Sequence, residues 1–240
     1  MSTKPIDPKA FLNNASTEHI KTVLQIMDQK TSGEAQKKFL PFVKKVWPGF
    51  IEGTHHRIIA EKMEQIASGK LKRLIVNMPP RHTKSEFASY LFPAWIIGQC
   101  PTKKLIQTTH TSELSVNFGR KMKNLIDSEE FQKIFPKVNI AVDSKAAGRW
   151  HTNHGGEYFA AGVGGAITGR GADLLIIDDP HSEQDALSAT GMESVYEWYT
   201  SGPRQRLQPG GAIILVMTRW SVKDLTGALI KAQSDKNADK

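Results

Sequence analysis

Short unbroken apolar runs alternate with stretches of helical periodicity along most of this chain. Leu74-Ile75-Val76 leads into Asn77-Met78-Pro79-Pro80, and Lys84-Ser85 opens a helical stretch through Ile97. Residues 105–109 read as a second strand and 112–126 as a second helix. Residues 150–161 predict a hairpin-like pair of short strands, and 162–171 are glycine-rich. Leu174-Leu175-Ile176-Ile177, the most apolar run, passes directly into Asp178-Asp179; residues 191–200 then read as helix, 212–217 as a buried strand and 225–231 as a last helix. Continuous apolar strands alternating with helices predict an α/β fold, a mostly parallel sheet covered on both faces. Upstream, residues 1–35 are polar with a short helical pattern around Ile20, Val23, Leu24 and Met27. Residues 36–68 look helical around Phe39, Phe42, Val46 and Trp47, then Ile58, Ile59, Met63 and Ile66, with Gly69 as a stop. The expected division is a helical or flexible segment 1–35, one domain 36–231, and a linker or cut end 232–240.

In such sheets ligands sit beyond the carboxyl ends of the strands. Val76, Ile177 and Met217 each lead there into polar residues suited to chemistry. A phosphate-binding loop needs a strand, inward-pointing backbone amides, a lysine, a hydroxyl residue and a helix N-terminus. Lys84 and Ser85 take the last two side-chain roles, with Lys84 for the β- and γ-phosphates of ATP and Ser85 for Mg²⁺. The glycines of the strict motif fall instead on Met78 and Thr83. Pro79 and Pro80 would stiffen the loop that glycine otherwise shapes; His82 and Thr83 complete it. Arg81 adds a second cation, for the γ-phosphate, for transition-state charge or for a neighbouring acid. A Pro-rich turn before a helix with an exposed lysine is the plain alternative for the whole segment.

Residues 174–179 look like a strand bearing the magnesium carboxylate, Asp178, followed by a carboxylate, Asp179, that polarises the attacking water. A strand ending in an Asp-Pro turn, Asp179-Pro180, is the alternative. Thr218, just beyond the 212–217 strand, would sense the γ-phosphate or serve only as a β-branched strand residue.

Composition narrows the classes. A chain of 240 residues with 39% hydrophobic and 23% charged residues has material for one substantial core. A net charge of +8 favours a polyanionic partner, nucleic acid being the commonest, though charge alone leaves an inert basic surface open. The single cysteine, Cys100, excludes an internal disulfide framework and a Cys-based zinc site and fits a reducing compartment. His55, His56, His82, His110, His151, His154 and His181 form no helical metal-binding pair beside a carboxylate. Residues 1–14 lack the apolar core of a secretory signal. No apolar run approaches the roughly 18–20 residues of a membrane span.

Residues 77–86 (NMPPRHTKSE), 162–180 (GVGGAITGRGADLLIIDDP), 209–220 (PGGAIILVMTRW) and Asp224-Leu225 resemble, in order, the large terminase subunits of tailed bacteriophages. The likeness spans roughly residues 35–230. It implies an N-terminal ATPase domain of the additional-strand, RecA-like P-loop class, which pumps double-stranded DNA into procapsids, and a C-terminal RNase H-like nuclease absent from these residues. It places the deviant Walker A on residues 79–85, Walker B and the catalytic carboxylate on Asp178 and Asp179, and the coupling motif on Met217-Thr218-Arg219. Arg170, between glycines, matches an arginine that can act in trans on the next subunit of a ring, or it faces DNA or phosphate. Arg206 and Arg219 suit structural salt bridges, and Ser221 with Asp224 a helix cap. The adenine region would lie upstream, with residues 39–47 and His55-His56 as lining or as ordinary core. Implied partners are double-stranded DNA, further copies in a ring on the portal protein, and the small terminase subunit, in the host-cell cytoplasm. Two other readings stay open: a helicase or other RecA-like nucleic-acid ATPase, and a non-catalytic scaffold with a degenerate loop.

Overall fold

The computed structural model describes residues 17–144 and 146–234. Among the described residues six strands form one sheet in the order β1-β6-β5-β2-β4-β3. These are β1 Arg73–Asn77, β2 Lys104–Thr109, β3 Arg149–His151, β4 Glu157–Gly162, β5 Ala172–Asp178 and β6 Leu207–Met217. All neighbours are parallel except β3 and β4, the expected hairpin, which pair antiparallel with Trp150 opposite Tyr158.

Helices cover both faces, as the apolar runs require. The larger side holds α1 Thr17–Lys37, α2 Phe39–Val46, α3 Thr54–Ala67, α4 Phe92–Gln99, α5 Ser112–Ile126 and α6 Glu129–Ile134. The other holds α8 Ala189–Ser201 and α9 Leu225–Ser234, while the short α7, Glu183–Ala186, follows the β5 loop. Strand alternation divides the core: Leu174 and Ile176 of β5, with Ala212, Ile214 and Val216 of β6, enter the larger cluster. Leu175 and Ile177, with Ile213, Leu215 and Met217, enter the smaller one.

The expected boundary between residues 35 and 36 falls inside α1. Ala35 is fully buried and its carbonyl accepts the Trp95 indole N–H at 2.9 Å. Gly69, at φ +75°, ends the α3 turn with its N–H on the Ile66 carbonyl. The predicted patterns of residues 1–16 and 235–240 lie outside the described residues. No described helix is long and apolar enough to cross a membrane.

Phe39 is fully buried against Phe42, Phe87, Phe92 and Trp95, with ring centroids 5.4–6.5 Å away. It packs the upstream helices onto the helix that leaves the β1 loop. Phe39→Ala is expected to lower unfolding free energy by roughly 3–5 kcal/mol, measured by denaturant titration.

Candidate functional site

The loop between β1 and the next helix is held at both ends. The Asn77 side-chain amide donates to the Met217 carbonyl at 3.3 Å and to Thr226 Oγ1 at 3.1 Å. The Met78 N–H also reaches the Met217 carbonyl, and the Thr218 hydroxyl donates to the Met78 carbonyl at 3.3 Å. At the far end the helix starts at Lys84-Ser85, runs through a π-helical stretch, Glu86–Leu91, and becomes α4. Two non-glycine residues of the loop, Arg81 and Thr83, sit at φ +63°. Left-handed backbone at such residues costs roughly 1–3 kcal/mol each and persists only where surroundings enforce it. Thr83 thus adopts the backbone that the motif ordinarily assigns to glycine.

Asp178 closes β5 on the side of Leu174 and Ile176, facing this helix. It is 2% exposed; Ser85 Oγ donates to one carboxylate oxygen at 2.9 Å and Ser89 Oγ to the other at 2.7 Å. Burial raises its pKa to about 6, with the Asp179 charge adding to the rise and the two hydroxyls and Lys84 opposing it. Asp179 would point to the opposite face if the strand continued. Instead its backbone turns to φ +40°, with its N–H on the Val216 carbonyl. One carboxylate oxygen accepts the Thr218 N–H at 2.7 Å. The other meets the Lys84 ammonium at 2.7 Å, the lysine side chain being only 7% exposed.

Lys84, Ser85, Asp178, Asp179 and Thr218 therefore converge from three adjacent strand ends. A cavity of about 150 Å³ is lined by Arg81, Thr83, Lys84, Ser85 and Glu86. Arg81 is exposed there and forms no ion pair among the described residues. Pro79 and Pro80 shape the loop's outer arm, where the Pro80 carbonyl lies 2.9 Å from His82 Nδ1. Hard oxygen donors, a hydroxyl and a carboxylate already 2.9 Å apart, suit Mg²⁺, which takes one or two carboxylates and fills its shell with phosphate oxygens and water. A divalent cation would also offset the burial that raises Asp178.

Arg170 lies elsewhere. It precedes β5, whose six residue steps of about 3.3 Å span roughly 20 Å, so Arg170 sits beyond the end of that strand opposite Asp178. Its guanidinium pairs with Glu157 and covers the Phe159 ring at 3.9 Å. Phe39 and Phe42, entertained as adenine lining, are fully buried core; tertiary packing claims them because three helices meet there. Arg219 forms the expected salt bridge, with Asp224 at 2.9 Å, and Asp224 caps α9 through the Gly227 N–H at 2.9 Å. Arg206 forms no ion pair among the described residues, and its Nε is buried without a hydrogen-bond partner.

Sequence reading missed Ser89, although it lies four residues beyond Ser85 on one helix and so within reach of the same carboxylate. It also missed the role of His181, whose Nε2 accepts the Leu225 N–H at 2.9 Å and so ties the loop after Asp179 to α9.

The chain is similar in structure to the HK97 bacteriophage large terminase. The match covers 88% of this chain and 45% of that one, at 14% sequence identity and a TM-score of 0.49. The chain thus spans less than half the length of that terminase. No protein-family model and no curated protein matches the sequence.

The raised Asp178 pKa makes a signed prediction. Between its ordinary value of 3.8 and about 6 the folded chain keeps a proton that the unfolded chain releases. Stability contributed at this site should therefore fall as pH rises through that window. Without divalent cation, the unfolding free energy of Asp178→Asn minus that of the unsubstituted chain should grow by up to roughly 3 kcal/mol from pH 4 to pH 7. A difference that stays flat in paired denaturant titrations would contradict burial as the dominant cause.

Proposed function

We propose that this chain carries the ATP-hydrolysing P-loop motor domain of a viral terminase large subunit, driving double-stranded DNA into a procapsid. One observation carries the reading: an ammonium, two serine hydroxyls, two carboxylates and a threonine from three strand ends meet within hydrogen-bond distance at the mouth of a loop. The motif order that resembles terminases adds the DNA-packaging part, and the +8 net charge suits a polyanion.

In this reading Ser85 and Asp178 would hold Mg²⁺, which would supply positive charge to neutralise the β- and γ-phosphates. Residues 79–85 wrap the phosphates. Lys84 turns from Asp179 to the phosphate oxygens, which replaces its counter-ion without leaving the ammonium unpaired. Asp179, released by Lys84 but still held by the Thr218 N–H, accepts a hydrogen bond from the attacking water and polarises it. Because Thr218 touches both Asp179 and the Met78 carbonyl, a change at Asp179 is passed to β6 and to the start of the loop. The resemblance assigns further copies in a ring on the portal and the small terminase subunit as partners, with the host-cell cytoplasm as the place of action. Arg81 is the cation this chain offers to its own site besides Lys84. Arg170 would have to serve a neighbouring copy, after release from Glu157.

Asp179→Asn is expected to slow ATP turnover by roughly 10²–10⁴-fold while nucleotide still binds. Lys84→Ala should lose both binding and turnover. Phosphate release, measured with Mg²⁺ and linear double-stranded DNA, checks both; rates unchanged in the two variants would leave a scaffold rather than a motor.

A further inference from the structure

His56, on α3, is 5% exposed and packs against the rings of Phe50 and Phe87, at centroid distances of 4.8 and 4.9 Å. Its hydrogen bonds fix its tautomer. The Gly53 N–H donates to Nδ1 at 2.8 Å, so Nδ1 carries no proton. In the neutral ring the proton is therefore on Nε2, which donates to Thr83 Oγ1 at 2.6 Å. The Thr83 hydroxyl then has its own proton to give, and donates it to the His82 carbonyl at 2.6 Å. Burial, with the adjacent His55 ring, lowers the His56 pKa and favours this neutral form.

This relay ends on Thr83, which stands where the strict motif has its second glycine. Thr83 is β-branched, yet it sits at φ +63° immediately before Lys84. The bond to the His82 carbonyl orients that peptide plane, and since C=O and N–H of a trans peptide point in opposite directions, the Thr83 N–H is fixed as well. The Thr83 carbonyl meanwhile accepts the Phe87 N–H at 3.0 Å, starting the helix.

We propose that His56 is a positioning residue for phosphate binding: it clamps Thr83 in the left-handed backbone that glycine would adopt unaided, and so sets the loop amides and Lys84 toward the β-phosphate. The proposal rests on the nucleotide reading above. It makes His56 necessary because of Thr83, and less necessary once position 83 is glycine.

The test is a double-substitution cycle with ADP and Mg²⁺ as the probe, read by titration calorimetry on the whole chain. Asn at position 56 keeps an acceptor near the Nδ1 position for Gly53 but cannot reach Thr83, whereas Gln can. His56→Asn is expected to weaken ADP binding roughly tenfold with Thr83 present, the loss of one buried hydrogen bond. The same substitution should cost less than about threefold beside Thr83→Gly, and His56→Gln should retain most of the affinity. Equal losses in both Thr83 backgrounds, or none in either, overturn the proposal while leaving the nucleotide reading intact. Absence of ADP binding by the unsubstituted chain sinks both. Nitrogen-15 spectra of the ring give a readout independent of nucleotide: Nε2 should be protonated and should shift in Thr83→Gly, and an unchanged signal overturns the clamp.

Discussion

A lysine ammonium that is almost entirely buried must have an anion beside it, and much of this site follows from that requirement. Lys84 has its anion in Asp179. Neighbouring strand residues point to opposite faces, so Asp178 and Asp179 would not ordinarily serve one loop together. The left-handed turn at Asp179 removes that obstacle. It sends the second carboxylate back toward the loop that the first already meets, and aspartate is among the few residues for which such backbone is common. Two adjacent acids thereby take separate partners, hydroxyls for one and a cation with an amide for the other.

The apparent weakness of the loop as a motif has the same kind of resolution. Glycine is used in tight phosphate loops for its backbone, and backbone can be imposed by contacts instead. Here a histidine from α3 and the end of β6 supply those contacts. The helices upstream of β1 are consequently part of the site's support, and the fully packed Phe39 and Phe42 belong to that support rather than to any ligand.

The strand ends were readable because burial on both faces leaves a strong, local signature. Each expected strand from 74–76 to 212–217 is present within a few residues, and α5 has the expected bounds. Less local features escaped. Residues 207–211, with Pro209-Gly210-Gly211, lie before the expected strand, yet they extend β6, whose residues 208–211 bulge between the pairs Ala172–Leu207 and Leu174–Ala212. The six-residue α6 is too short to show periodicity, although Ser128 caps it. That Lys84, Ser85, Asp178, Asp179 and Thr218 come together was legible from three apolar strands that each lead into polar residues. Ser89 and the His56 contact to Thr83 were not, since they depend on how a π-helical stretch and a distant helix are packed. For aromatic residues, sequence alone does not separate a stacking surface from a core.

The even and odd positions of β5 belong to different hydrophobic layers, and Asp178 shares its parity with Leu174 and Ile176. A single inserted or deleted residue between Leu174 and Asp178 would exchange the two layers and carry the carboxylate to the α8–α9 side, away from both serines. Changes of length in this strand are therefore tolerable only in pairs, whereas β6 can absorb irregularity near its start, far from Thr218. The reading frame of one short strand thus sets where the acid can stand, independently of which apolar residues fill the rest of it.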